Sequence, residues 1–435
     1  MRPLFAAVLM LVTGASAVGG DSRNDIIEGK TLEQWVKDLK SRDPGVIERA
    51  MRNISLYKAA ARELAGPELI KRLTYRDVGV RVNAALAIGE IGLDPRDVKS
   101  GVSALVQRVN LDKESVVRFH AIIALGRLGN QAEDAISVLL SALSDQAWEI
   151  RKAAAFALGE VSYVSSQPPV LRVVKALVGA LNDASAPVRL EAVMALAKVG
   201  APSLTPVRAN MLRDEETHAL RTAIRRDRDK TVVIWAHATL VALRLDPKPT
   251  PHVQAIADLL SNRSLDVRKH ATAALARLGP LQPKEVRPLI PQIIKGLEDE
   301  DTNGSAATAS ALGQQLKDLL DSANVDQIDR LLTNGRSEVR CMAAQTLGLL
   351  GNKCSSKQVQ DLLKLLEAPD PDETVLTAAG QALAALGDVA RATATPVLKR
   401  LAQSGSESVR SIALQVLAEY NHAAALKAPK AVGAR

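Results

Sequence analysis

A string of about thirteen residues returns along this chain with changes that keep its chemistry: VRFHAIIALGRLG at 117–129, VRKHATAALARLG at 267–279 and VRCMAAQTLGLLG at 339–351. Related copies begin at Val80 (VRVNAALAIGEIG), Ile150 (IRKAAAFALGEV), Val188 (VRLEAVMALAKVG) and Val409 (VRSIALQVLAEY). Aligned on the arginine, the anchors are Arg81, Arg118, Arg151, Arg189, Val233, Arg268, Ser305, Arg340, Leu376 and Arg410, at intervals of 33 to 44 residues. A degenerate first copy, DPGVIERAMRNI, starts at Asp43 and brings the total to about eleven. A unit of that size holds two short helices and two turns, and self-similarity at such a period marks a stacked repeat architecture. The 435 residues, which by length alone suggest two or three domains, are therefore read as one array.

Within a copy the apolar residues fall at helical spacing, as in Val117, Ala121, Ala124, Leu125 and Leu128, which predicts one wide buried face. A second amphipathic stretch precedes each string, for example AISVLLSAL (135–143), LRVVKALVGAL (171–181) and VQDLLKLL (359–366). Neither helix is long enough to bury its apolar face alone, so stacked pairs must share a core. Hydrophobic residues make up 47% of the chain and aromatics only 2%, so that core is Ala, Leu, Val and Ile. Gly89, Gly126, Gly159 and Gly348 fall inside the second helix, where a glycine costs about 1 kcal/mol against Ala; close approach of the next helix offsets that cost. Gly92, Gly129, Gly200, Gly279, Gly351 and Gly387 fall where each helix stops, which predicts left-handed C-terminal caps. Pro288 and Pro291 predict a bent first helix in their repeat.

At these residues the chain resembles the HEAT repeat family, in the short HEAT-like form also found in phycobilisome lyases, over residues 31–420. The signatures of tetratricopeptide and ankyrin repeats, W-x2-L-G-x2-Y and T-P-L-H-x-A, are absent. The resemblance implies an all-α fold, a right-handed α-solenoid (armadillo-type superhelix) of about eleven helical hairpins. It also implies protein–protein contact through an extended curved surface, with the second helices lining the concave side.

The recurring arginine invites a reading as a grip for an anionic partner, but its companion residue points to scaffolding. Six residues before Arg118, Arg151, Arg189, Arg268, Arg340 and Arg410 stand Asp112, Asp145, Asp183, Asn262, Asn334 and Ser404. These share a capping oxygen rather than a charge, which predicts helix initiation, with the arginine pairing to neighbouring turns as a structural ladder. Val233, Ser305 and Leu376 interrupt the arginine row while Asp227, Asp299 and Asp370 remain, and the interval swells to 44 before Val233. That region carries DEETHALRTAIRRDRDK (214–230), whose Arg221, Arg225, Arg226 and Arg228 are either a solvated face or a partner-binding patch. Among the tryptophans, Trp35 reads as packing at the N-terminal end, and Trp235, in the helix that lost its arginine, as a candidate interface anchor.

No motif of catalytic or metal chemistry stands in the sequence. The six histidines, His120, His218, His237, His252, His270 and His422, form no H-E-x-x-H and no His-Glu pair. That separates the chain from deoxyhypusine hydroxylase, a HEAT-like iron enzyme dependent on such pairs. His120 and His270 occupy the same repeat position, where a structural or surface-lining role is expected, and Glu90 and Glu160 are expected to face solvent. No G-x-S-x-G elbow, P-loop or dinucleotide-binding glycine string is present. No catalytic, cofactor-binding or metal residue is assigned and no cofactor is expected. The formal charge of +8 mixes 56 basic with 48 acidic residues, and few aromatics exist for base stacking, so no nucleic-acid partner is expected.

The N-terminus, MRPLFAAVLMLVTGASA, sets Arg2 before an apolar run and a small-residue site, the order of a signal peptide (1–17) cleaved after Ala17. A membrane anchor is the competing reading, against which the run falls short of the ~20 residues a span needs. Residues 18–30 read as a flexible linker, 31–420 as the solenoid and 421–435 as a disordered basic tail. Cys341 and Cys354 are separated by a helix longer than the ~7 Å a disulfide tolerates between Cα atoms, so no bridge between them is expected. Cys341 reads as a small core residue and Cys354 as a loop thiol. Together these features predict a non-catalytic scaffold or adaptor, exported to the periplasm or outside the cell, that holds a protein or peptide partner. The alternative is an enzyme or enzyme accessory of the bilin-lyase-like branch.

Overall fold

The computed structural model of the protein describes residues 24–162, 169–199, 206–367 and 372–427. Among them the only β feature is an isolated bridge between Ile27 and Lys30, and the rest of the regular structure is helical. The chain divides into two units, Met1–Ala219 and Leu220–Arg435.

The N-terminal unit holds five helical hairpins: α1 (Leu32–Asp38) with α2 (Pro44–Leu56), α3 (Arg62–Arg72) with α4 (Val78–Ile91), α5 (Val98–Leu111) with α6 (Ser115–Leu128), α7 (Ile136–Ala142) with α8 (Trp148–Val161), and α9 (Pro169–Ala180) with α10 (Ala186–Val199). Helix α11 (Pro206–Arg226) spans the division. The C-terminal unit continues with α12 (Lys230–Ala242), then α13 (Pro249–Ala257) with α14 (Leu265–Leu278). There follow α15 (Pro283–Val286) and α16 (Ile290–Ile294) before α17 (Thr302–Ser310), and α18 (Ser322–Arg330) with α19 (Ser337–Leu350). The last pairs are α20 (Ser356–Glu367) with α21 (Glu373–Leu386) and α22 (Asp388–Ser404) with α23 (Glu407–Lys427). Eleven second helices result among the described residues, matching the count of repeats, and each unit is a solenoid segment. We number repeat positions from the arginine as 0.

The conserved letters of the string become the core. Position −1 is buried at Val80, Val117, Ile150, Val188, Val232, Val267, Val339 and Val375, and position +7 at Ile88, Leu125, Leu158, Leu196, Leu240, Leu275, Leu312, Leu347 and Leu383. Successive second helices then meet along small residues. A Cβ built on Gly126 would lie 3.0 Å from the Cα of Ala157, on Gly159 3.0 Å from that of Ala195, and on Gly348 2.9 Å from that of Ala382. Such backbone approach gives dispersion contact that a larger residue would prevent, which is what offsets the helix penalty of these glycines.

The helix stops follow the glycines with one change. Gly92, Gly129, Gly351 and Gly387 have φ of +52° to +77°, as expected. Their ψ values lie between −117° and −172°, so the chain leaves each helix in a conformation open to glycine alone rather than in the left-handed helical cap. Gly279 keeps helical angles, and it is small because Leu316 Cδ2 would lie 2.3 Å from its Cβ; Gly200 lies outside the described residues. The Pro288 and Pro291 expectation holds: the first helix there breaks into α15, a 3₁₀ turn at Arg287–Leu289, α16, and a second 3₁₀ turn at Lys295–Glu298.

Both ends differ from the expected boundaries. Residues 24–30 are tied down: Trp35 Nε1 donates to the Ile27 carbonyl at 3.1 Å, and Tyr57 Oη donates to the Asp25 carbonyl at 2.8 Å. Glu28 accepts from Arg49 and Asn53, so this part of the supposed linker closes the end of the first hairpin, with Trp35 2% exposed beneath it. At the other end α23 runs on to Lys427, past the expected limit at residue 420. Residues 1–23, with the signal segment, and 428–435 lie outside the described residues. Cys341 and Cys354 are both free and buried. Cys354 is therefore a core thiol rather than an open one, and burial, followed by the charge of Asp329, pushes it up to about 12.

Candidate functional site

The arginine row is scaffold, by a geometry that uses the whole guanidinium. Arg151 donates from Nε and Nη2 to the two oxygens of Asp183 in the next repeat at 2.7 and 2.8 Å, while its Nη1 turns back to the carbonyls of Asp145 and Gln146 at 2.9 and 3.0 Å. Arg81 repeats this with Asp112, and Arg268 with Asp299 at 2.6 and 2.7 Å. Arg118 reaches Asp145 less closely, at 3.6 Å. Arg189 and Arg340 show the same return to their own turns. The arginine holds the carboxyls of Asp183 and Asp299 below the usual range; for Asp112, burial pushes upward and Arg81 with the Glu114 amide overcomes it. Arg81, Arg151 and Arg268 each spend four hydrogen bonds on the scaffold in this way, which commits the guanidinium to the repeat rather than to a partner.

The turn residues do not cap their helices in the manner expected. Asp112, Asp145, Asp183, Asn262 and Asn334 accept from the amide two residues on, at Glu114, Ala147, Ser185, Ser264 and Arg336. This Asx turn shapes the entry, and the N-cap residues Glu114, Ala147, Ser264 and Arg336 make no side-chain cap. Where the arginine is lost, a second carboxylate takes over: Asp229, Asp301 and Asp372 cap α12, α17 and α21 through the amides of Thr231, Asn303 and Thr374. Ser404 ends α22 and donates to the Arg400 carbonyl, and Arg410 is exposed, so the final copy stands outside the ladder.

A pairing rule emerges across copies. Asp follows every repeat that has the arginine: Asp112 after Arg81, Asp145 after Arg118, Asp183 after Arg151, Asp227 after Arg189, Asp299 after Arg268 and Asp370 after Arg340. Where the arginine is Val233, Ser305 or Leu376, the next turn has Asn262, Asn334 or Ser404. The Asx-type oxygen is kept wherever the turn needs it, and the charge only where a guanidinium awaits it.

The remaining residues proposed from sequence are dispersed. Arg221 is exposed and pairs with Asp246 at 2.9 Å, while Arg225, Arg226 and Arg228 are exposed and make no ion pair among the described residues. Trp235 offers no interface: it is 5% exposed, and its Nε1 donates to His270 Nδ1 at 2.9 Å. Nearby, His237 Nδ1 and His252 Nδ1 meet at 2.8 Å, and His252 Nε2 faces Asp246 at 3.3 Å. Burial, with the charge of His252 second, lowers His237 to about 4, so it is neutral in this packed pair. Among the described residues no group of three or more His, Cys, Asp or Glu could hold a metal ion.

What was not foreseen is a face of the N-terminal unit. Positions +1, +2, +5 and +9 lie on one side of each second helix, the side away from the core. At +5 stand Leu86, Ile123, Phe156 and Met194, all half-buried and so still presenting apolar surface. Val82, Phe119 and Leu190 flank them at +1. The +9 row alternates in sign, Glu90, Arg127, Glu160 and Lys198, and is zipped across helices: Arg127 meets Glu90 at 3.7 Å and Lys198 pairs with Glu160. Glu90 is thus exposed, as expected, and paired as well, while Glu160 is half-buried and paired. The basic stems reach over the glycines, Arg127 Cδ passing 3.2 Å from the Cβ position of Gly89 and Lys198 Cδ 3.7 Å from that of Gly159. The Phe156 ring lies over Gly126, and the Lys198 ammonium sits 5.5 Å from the ring centre. This row could have been found by reading the copies as columns: +5 in the C-terminal unit is Ala238, Ala273, Ser310, Gln345, Gln381 and Gln415.

A fold of stacked helical hairpins with this string is matched by the family described as HEAT repeats, at residues 66–159, 102–175, 136–226 and 290–384, together more than half of the chain. The chain belongs to the HEAT repeat family. Solved structures similar to it include an engineered protein, 22% identical over 90% of this chain and 98% of its own, with a TM-score of 0.39. Yeast importin-beta (Kap95p) is 14% identical over 90% of this chain and 57% of its own, TM-score 0.48. Kap121p bound to Pho4p is 14% identical over 90% of this chain and 45% of its own, TM-score 0.46. The chain spans about half the length of these two proteins. No curated protein matches its sequence. No helix of the described residues is long and apolar enough to cross a membrane.

Proposed function

We propose that the protein is a non-catalytic scaffold that holds a protein or peptide segment against the exposed face of the second helices in its N-terminal unit. The observation that carries this is the half-buried row Leu86, Ile123, Phe156 and Met194, set between ion-paired charges on a rigid stack. An apolar strip rimmed by polar groups is the usual form of a protein-binding surface. The small or polar residues at the same position in the C-terminal unit indicate that packing does not require large apolar side chains there.

The test is capture by the full chain compared with a variant carrying Ile123→Gln, Phe156→Gln and Met194→Gln, with intact mass of the captured species measured before and after. The expected result is a protein held unaltered by the parent and lost by the variant. A species returned chemically changed would favour the enzymatic alternative, and equal capture by both chains would remove this face from consideration. Action outside the cytoplasm, after cleavage at Ala17, belongs to the same proposal; sequencing the N-terminus of the protein from a cell fraction tests it. A mature chain that retains Met1 contradicts it.

A further inference from the structure

Position +2 of the N-terminal unit carries polar groups that the scaffold leaves unsatisfied. Glu191 is partly exposed on α10 and makes no hydrogen bond or ion pair among the described residues. Burial pushes its carboxyl above the ordinary range, Lys152 and Lys198 act against that, and Glu160 adds to it. Lys198 is already committed to Glu160, and Lys152, exposed on α8, acts only at a distance. His120 at the same position of α6 has a buried Nδ1 without a partner. The fold has no need of a carboxylate here, since the chain itself uses Ala153, Ala307 and Ala378 at this position. A recessed carboxylate left unpaired costs about 1–3 kcal/mol, so it is a poor choice for stability alone.

We propose that Glu191 anchors a cationic side chain, Lys or Arg, of an otherwise apolar peptide segment that crosses α6, α8 and α10 along Ile123, Phe156 and Met194. The inference rests on the reading of this face as the binding surface. Packed helices lie roughly 8–10 Å apart, which a peptide in the polyproline II conformation, with three residues per turn, covers in about three residues at ~3.1 Å each. The segment therefore places apolar side chains three apart, with the cation at the end that meets Met194. An ammonium or guanidinium beside Glu191 favours its ionised form, so affinity rises with pH through the titration of that carboxyl.

The experiment selects peptides from a random displayed library on the full chain, synthesises those recovered, and measures binding to the parent, Phe156→Gln and Glu191→Gln, with folding checked by circular dichroism. The expected peptides carry Lys or Arg beside apolar residues spaced by three, and bind Phe156→Gln at least about tenfold more weakly. Glu191→Gln weakens them by about tenfold or more, the range for a charge-assisted hydrogen bond. Replacing the peptide's cation by norleucine makes parent and Glu191→Gln bind alike and abolishes the pH dependence. If Phe156→Gln weakens binding and Glu191→Gln does not, the cation anchor is wrong and the face stands. If no recovered peptide responds to Phe156→Gln or to a second variant, Ile123→Gln, both readings fall.

Discussion

The two units share one scaffold and differ in what they show the solvent. Both use buried Val and Leu at fixed positions, glycines where helices touch, and Arg–Asp pairs between turns, as at Arg151–Asp183 and Arg268–Asp299. On the outward side of the second helices they diverge. The N-terminal unit presents Leu86, Ile123, Phe156 and Met194, and the C-terminal unit has the small Ala238, Ala273 and Ser310 followed by Gln345, Gln381 and Gln415. Repetition thus separates two kinds of selection: columns that stay constant in both units report packing, and a column that changes between them reports something packing does not ask for.

The largest expected effect sits in the shared part. Asp183→Asn leaves Arg151, mostly buried, without its charge partner, and should cost about 2 kcal/mol, below the range for fully buried pairs because water still reaches the edge. Adding Arg151→Val recreates the chain's own Val233–Asn262 combination and should recover most of that loss. Hydrogen exchange of the α8 and α10 amides reads both variants, and a double variant weaker than the single would break the pairing rule.

The glycine contacts should behave alike in the two units. Gly159→Ala and Gly348→Ala each force a backbone apart, at about 1–3 kcal/mol by denaturant unfolding. Gly179 on α9 has nothing within 4 Å of its Cβ position, so Gly179→Ala should instead stabilise by roughly 0.5–1 kcal/mol. A large inequality between Gly159 and Gly348 would show that the units do not share their packing.

Dependence on pH should run in the same two directions in both units, and Glu191 isolates the part that belongs to the N-terminal face. Asp183 and Asp299 have lowered pKa values, so their stabilisation is present above the ordinary carboxylate range and is lost as pH falls through the folded value, in both units. Asp329 in the C-terminal unit is raised by burial, and in the N-terminal unit Glu191 is raised likewise, so stability is lost there as pH rises through that group's folded value. Glu191→Gln should remove this loss, leaving the protein more stable than the parent at neutral pH and unchanged in acid. Melting temperature across pH checks it, and a Glu191→Gln chain that is less stable at neutral pH would mean the carboxylate has a structural partner.

Much of the fold was legible from the repeat, because a thirteen-residue string fixes which side of a helix is buried and where a neighbour must come close. The Arg ladder was legible for the same reason, although the turn oxygen was assigned to the wrong amide: a spacing of six places a residue before a helix without saying whether it serves N-cap or Asx turn. Trp235 was misjudged because its cover, His270, is a neighbour only across the stack. Glu90 is exposed as expected and Glu160 half-buried, but their ion pairs were missed because Arg127 and Lys198 reach them from the next repeat. The apolar row was present in the letters and unread, because along the chain each member is one more hydrophobic residue, and only the column shows that four are alike.

The central claim is that ladder and face do different work, and one paired measurement tests it. The variant Arg151→Val with Asp183→Asn and the variant Ile123→Gln with Phe156→Gln and Met194→Gln are each assayed for helicity and for binding of a peptide selected on the parent chain. Both should remain folded, the ladder variant should bind like the parent, and the face variant should bind at least about tenfold more weakly, the loss of more than ~1.4 kcal/mol. A folded face variant that binds normally, or a folded ladder variant that does not bind, would contradict it.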